Sequence, residues 1–412
     1  MATSGNYRYN VTAGDIINIA LSKVGARAIG ESVDASESAE ALIELNLLLK
    51  TLQSKAGIWL NREVNLFFAN AQAEYDLGPT GDHAATGAVK TELAAAAASG
   101  ATSLTIDATT GFGDTFDRNG IITAVTATGA GAITLTGALV AAGIATLSGN
   151  RKVLVYAAGN ESARTFAVTG QNAAGVAVTE SITGPNATTV YSSNNFKTIT
   201  SITIDAASAG NFEIGQVGDP IGIEQDNDTL HWTFIAGALS TTPSLVTALT
   251  GAAAIDNHVY TYVSMTQRPV NLIEARLHKA DGHDVPLLIN GRLDYRLLSN
   301  KTQTGTPNQI YYDKQLNNGV IQVWPVPTDM QEYIKMSARL PIQRMDNLTD
   351  DFEVGQEWGE PLAWTLTVRL YPNYGRKIPP DVALMAERML ADAMMADTED
   401  GVVRIRFTRS RS

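Results

Sequence analysis

The sequence predicts an α+β multidomain protein: a helical bundle built from both chain ends plus a β region, interrupted by inserted small β-sandwich modules. Two observations carry this expectation. Between Ala88 and Gly218 only 14 of 131 residues are Asp, Glu, Lys or Arg, whereas Arg339 to Ser412 holds 22 of 74. The charge-poor stretch is rich in Ala, Thr, Gly and Ser and patterns as β-strand, while both ends carry apolar residues at helical spacing. A chain of 412 residues exceeds one ordinary core. The predicted division joins 1–87 with 219–412 in one discontinuous domain, whose β region is 219–340. Into it are set a β domain at 88–157 and a β-sandwich at 158–218, and a basic arm follows at 404–412.

The first helix is predicted over Thr12 to Val24, where Ile16, Ile17, Ala20, Leu21 and Val24 form one stripe. Thr12 caps its start with Asp15 three residues on, and Gly25 ends it. A second helix runs from about Ser36 to Ala56, with Asp34 and Glu37 at capping-box spacing. Its apolar residues, from Leu42 and Ile43 through Leu45, Leu47, Leu48 and Leu49 to Leu52, cover most of its girth. Such a helix must bury more than one side, inside a bundle or against a neighbouring subunit. Trp59 to Ala69 and Tyr75 to Leu77 suggest a hairpin, followed by a turn at Gly78-Pro79-Thr80-Gly81.

The interior reads as two β blocks. Ser103 to Ile106 and Ile133 to Thr136 alternate with period two, and Glu92 to Ser99, with its alanine run, reads alternatively as a helical turn. Thr165 to Thr169, Val176 to Ile182 and Thr198 to Ile204 are short strands at sandwich spacing. Further strands are expected at Leu230 to Ala236, His258 to Ser264, Gln309 to Tyr312, Val320 to Trp324 and Glu332 to Leu340, with a short helix at Tyr295 to Asn300. Pro325 and Pro327 stop the Val320 strand or place it on an edge. Two helices close the chain. One spans Glu357 to Tyr371 with Trp358, Leu362, Leu366 and Leu370 on one side, and Pro372 ends it. Pro379-Pro380 open the other, with Val382, Met385, Met389 and Ala393 as its buried stripe.

Composition limits the chemistry. There is no cysteine, hence no disulfide, thiolate nucleophile or Cys-based metal site, as suits a reducing compartment. The formal net charge of −12 argues against a face that grips duplex DNA. The chain has no run of 18 apolar residues, so no membrane span is predicted, and the first ten residues lack the apolar core of a secretory signal. No phosphate-binding loop, dinucleotide fingerprint or nucleophile-elbow serine is present. Gly129 and Gly131 read as turn residues, and His278 and His283, with Asp281 and Asp284, as a polar turn rather than a metal site. Asp226 and Asp228 lack the rest of a calcium loop. Asp350, Asp351 and Glu353 suit the positive end of the Glu357 helix better than acid–base catalysis. No catalytic residue, cofactor or metal is expected.

Interaction surfaces are the better lead. Trp358 and Trp364 lie six residues apart on one helix and face opposite sides, one toward the core and the other toward a partner. The alternating arm with Arg404, Arg406, Arg409 and Arg411 suits an acidic neighbour, or is a frayed terminus. Leu45, Leu48 and Leu52, with Trp358, Trp364 and these arginines, are the expected subunit or partner interface.

The chain ends resemble a known family. Thr12-Ala13-Gly14-Asp15-Ile16-Ile17, Ala20-Leu21, Gly25, Leu45-Asn46 and Gly57 are similar to the head-to-tail adaptor proteins of short-tailed phages, also called tail accessory factors, head completion proteins or tail tubular protein A. So are Leu362-Ala363, Arg369-Leu370, Pro372, Tyr374-Gly375-Arg376, Pro379-Pro380 and the strand ending Val323-Trp324-Pro325. The likeness covers roughly 10–80 and 265–400. Simple adaptors lack such large β insertions, and Thr165 to Ile204 looks like the Ig-like modules of phage virion proteins. The resemblance implies a helical-bundle adaptor frame and a homo-oligomeric ring, a dodecamer, docked under the portal protein at the portal vertex of the virion after assembly in the host cytoplasm. The ring would meet the tail nozzle protein and the tail fibre or tailspike, with genome DNA passing through its lumen. The alternatives are a virion surface decoration protein or adhesin that binds glycans through its Ig-like modules, and an enzyme such as a cell-wall hydrolase, for which the sequence offers no distinctive site.

Overall fold

The computed structural model describes residues 11–26, 33–54 and 60–396. It corrects the predicted fold class. The described chain is 39% strand and 19% helical, so it is a mostly β protein and not a helical-bundle frame. The reason is where the middle of the chain satisfies its backbone. The strands between the two ends pair with one another in four sheets and bury their apolar side chains there. Five α-helices occur among the described residues: α1 (Ala13–Val24), α2 (Ala35–Ser54), α3 (Arg292–Arg296), α4 (Gly359–Leu370) and α5 (Pro380–Ala396). The chain divides into two compact units, one drawn from within 1–60 and 341–412 and the other from 61–340.

The helical unit has one core. Ile16, Ile17, Leu21, Leu45, Leu48, Trp358, Leu362 and Leu366 are all buried in it. Thr12 and Asp15 form the expected capping box, and Gly25 closes α1 at φ 73°. A cap of this kind is worth about 1 kcal/mol. Asp34 caps α2 through the Ser36 N–H at 2.8 Å. Gly14 is needed for a close approach: its N–H donates to the Leu348 carbonyl at 2.7 Å, and a Cβ there would sit 2.9 Å from that oxygen. Asn46 pins α2 to the later segment, its amide donating to the Met345 carbonyl and accepting from the Met345 N–H at 2.9 and 3.0 Å. Arg369 lies 4.0 Å from Glu44 and donates to Thr51 Oγ1 at 3.0 Å. Pro372 does not simply end α4; a 3-10 turn at Tyr371–Tyr374 follows, closed by Gly375 at φ 64°.

In the β unit, an eight-stranded sheet includes Asp117–Val125, Ile144–Ala157, Thr165–Gln171, Ala177–Thr183, Thr189–Ile204 and Phe212–Gln216. It therefore runs through both interior blocks, with Phe166, Phe196, Ile199 and Phe212 in its core. Val89–Glu92 belongs elsewhere, pairing with His258–Thr261. No helical turn forms over 92–99; Leu93 and Ala97 make isolated bridges instead. The expected hairpin of 59–69 with 75–77 also fails. Leu60–Phe67 pairs with Ala84–Ala85, whereas Glu74–Leu77 pairs with Gly319–Trp324 in a different sheet. Tyr75 and Leu77 are buried there, which rewards the long-range partner over the near one.

One buried ion pair ties this unit together. Arg151 on the Ile144–Ala157 strand is 1% exposed and donates through Nη2 to Asp219 Oδ1 and to the Val263 carbonyl, both at 2.5 Å. Thr115 donates to the same carboxylate at 2.7 Å. Burial pushes the Asp219 carboxyl up and the guanidinium down, and their mutual attraction opposes both shifts. Removing one partner leaves an uncompensated buried charge. Asp219→Ala should therefore lower unfolding stability by about 3–5 kcal/mol in urea titrations, and the double variant Arg151→Met/Asp219→Leu should recover most of the loss. Equal losses in single and double variants would contradict this account.

Candidate functional site

Helix α2 presents two different apolar faces. Leu45, Leu48 and Leu52 point inward and are buried in the helical core with Leu49. Ile43 and Leu47, one turn apart, point outward and stay 61% and 52% exposed. Their stripe continues through exposed Ala39 and Glu40 on one side and Lys50 on the other. Large aliphatic side chains on the outer face of a helix that already supplies a core mark a surface suited to a partner. Periodicity alone did not separate the two faces, because the helix is apolar around most of its girth. Ile43 and Leu47 stood in that apolar set without being singled out; the charged neighbours Glu40 and Lys50 were the available signal.

The other expected interface residues fall in three places. Trp358 is fully buried in the helical core. Trp364 is half-buried on α4 and already engaged: Lys23 Nζ lies 3.5 Å from its ring centroid, and its Nε1 donates to Glu360 Oε1 at 3.3 Å. Arg404, Arg406, Arg409 and Arg411 lie outside the described residues. On α5 the buried residues are Ala386 and Ala393, with Val382, Met385 and Met389 half-buried. The acidic trio serves a loop rather than the start of α4. Asp350 accepts from the Asp346 and Asn347 N–H groups, both at 2.8 Å, and Glu353 accepts from the Gln343 N–H at 3.3 Å.

The β unit holds a cavity of about 260 Å³ lined by His83, Asn150, Arg151, Asn195, Trp232 and Tyr262, among others. Strand register builds it. Trp232 pairs opposite Gly222, whose missing side chain lets the indole lie across the backbone. The His83 ring stacks on the indole at 3.9 Å and 8°, with the Phe67 and Tyr262 rings at 5.4 and 5.5 Å. His83 Nδ1 meets the Tyr262 hydroxyl at 2.6 Å. Arg151 contributes a charge already matched by Asp219, so the wall is close to neutral. The cavity offers amides, ring edges and a guanidinium already paired, a lining suited to water or a small polar molecule. Nothing in the residue pattern pointed to it, because its lining comes from six separate stretches of chain.

His278 and His283 belong to a polar hairpin. His278 Nδ1 meets Asp284 Oδ1 at 2.6 Å across a hairpin, and His283 and Asp281 lie in its turn. Asp226 accepts from the Ala254 N–H and the Asn257 amide. No group of three His, Asp or Glu side chains suited to a metal occurs among the described residues. No helix among them is long and apolar enough to cross a membrane. No protein-family model matches the chain, and no curated protein matches it.

Enclosure against Trp232 and Tyr262 strips water from His83 and pushes its pKa down to about 3. The unfolded chain takes up that proton below about pH 6.5 and the native chain does not, so His83 costs stability as pH falls through 6.5 toward 3. The His83 ring should stay neutral at about pH 5 in a ring-nitrogen NMR titration, and a midpoint above that pH would show that the enclosure is absent.

Proposed function

We propose that this protein is a structural component of a virion, a head-to-tail adaptor that assembles as a ring under the portal and continues the DNA channel toward the tail nozzle and fibres. The observation that carries the proposal is the outward apolar pair Ile43 and Leu47 on α2, displayed by a helical core to which both chain ends contribute. Two adjacent aliphatic side chains held in water on one helix are a surface that a repeating assembly would cover on every copy. The sequence resemblance at both ends points the same way. The negative net charge suits a channel wall that lets phosphate pass without holding it. The alternative of a decoration or adhesin protein draws on the Gly- and Thr-rich interior strands. Phe166, Phe196 and Phe212 on those strands are buried in the core, which leaves these aromatics no role in stacking on a sugar.

Negative-stain imaging of the protein mixed with its portal tests the proposal. Rings on the portal are the expected result, and no association in any form would sink it. Ile43→Glu/Leu47→Glu should cut ring formation by about tenfold or more while circular dichroism stays unchanged. Deleting 404–412 should weaken retention on immobilised portal without loss of fold; unchanged retention would remove the arm from the interface.

A further inference from the structure

We propose that the tip around α3 of one copy docks on the outward α2 stripe of a second copy, an inference that rests on the ring reading above. Helix α3 is anchored by one residue and otherwise projects. Tyr295 is buried and stacks on Tyr311 at 5.7 Å, with Lys301 Nζ 5.4 Å from the Tyr295 ring. Leu293 and Leu297, one turn apart, are 76% and 80% exposed. Around them Arg292, Arg296 and Lys301 are exposed against a single carboxylate, Asp294. Neither Arg292 nor Arg296 makes an ion pair among the described residues, so both guanidinium charges are uncommitted.

The α2 stripe has the opposite character. Ile43 and Leu47 sit beside Glu40, with Glu37 and Glu44 along the same helix, Asp34 at its cap and Lys50 as its one base. Glu44 is within 4.0 Å of Arg369, but Glu40 is exposed and pairs with no cation among the described residues. Each surface thus offers two aliphatic side chains at i and i+4, one rimmed by arginine and the other by Glu40 at the end away from Lys50, whose Nζ donates to the Ile342 carbonyl at 2.8 Å. Copies carrying a net charge of −12 repel each other in general. A local basic tip on an acidic stripe is where that repulsion reverses, and it fixes orientation as well as attraction. The contact joins different patches on the two copies, so repetition generates a ring when the rotation closes.

The chain contains no cysteine, which makes single-site cross-linking clean. A Leu297→Cys protein mixed with an Ile43→Cys protein should give a mixed disulfide dimer in excess of either homodimer. A Leu293→Cys with Leu47→Cys mixture serves as the second pairing if either first variant misfolds by circular dichroism. Adding Arg296→Glu to the Leu297→Cys protein should cut the mixed product by about tenfold, and adding Glu40→Arg to the Ile43→Cys protein should restore much of it. Predominant homodimers of the Ile43→Cys protein, a mixed product indifferent to charge reversal, no cross-link from folded proteins, or capture of the Ile43→Cys protein by portal instead of by a second copy would each overturn the contact. Imaging the same samples separates the two proposals. Rings formed without the link between positions 43 and 297 discard this contact and keep the ring, while the link in open chains that never close keeps the contact and discards the ring.

Discussion

The β unit depends on one buried charge pair. Arg151 comes from the Ile144–Ala157 strand of the eight-stranded sheet, Asp219 from the residue before the Pro220–Gln225 strand, and the Val263 carbonyl from just beyond His258–Thr261. The pair therefore joins sheets that share no strand. Beside it Gln216 donates to the Thr115 carbonyl at 2.5 Å and accepts from the Ser148 N–H at 2.9 Å. An apolar pair could stabilise this junction as well, but it would not demand one alignment of the two sheets. What the charges add is register, because a displaced strand would leave a guanidinium without its carboxylate.

The helical unit uses a different device. Its elements come from the two ends of the chain, and side chain to backbone bonds join them alongside the apolar core. Asn46 satisfies both backbone groups of Met345, and the Arg376 Nη1 donates to the Val24 carbonyl at the closed end of α1. These bonds fix α2 with one face in the core. The face left over carries Ile43 and Leu47, and that remainder of apolar surface gives the adaptor reading its physical content. The cavity beside His83 carries no such argument, since the guanidinium on its wall is already neutralised in place.

Much of the local structure was legible before the fold. Thr12 with Asp15, Gly25, and the proline at the start of α5 mark helix ends through chemistry that acts within four residues. The hairpin turn at His278 to Asp284 was legible for the same reason. The failures share a cause. Residues 60–67 and 74–77 look like neighbours in a hairpin, yet their partners lie at 84–85 and 319–324. Period-two alternation states that a segment is a strand and says nothing about which strand it joins.

The sequence by itself determined the helix caps, the absence of thiol chemistry and the charge contrast between the middle and the ends, because each follows from residue type and short spacing. Only the tertiary structure decided that the protein is mostly β, that Arg151 finds Asp219, and that α2 buries Leu45 and Leu48 while leaving Ile43 and Leu47 in water. Those outcomes turn on which distant segments meet, and burial and pairing energies are settled only once they have met.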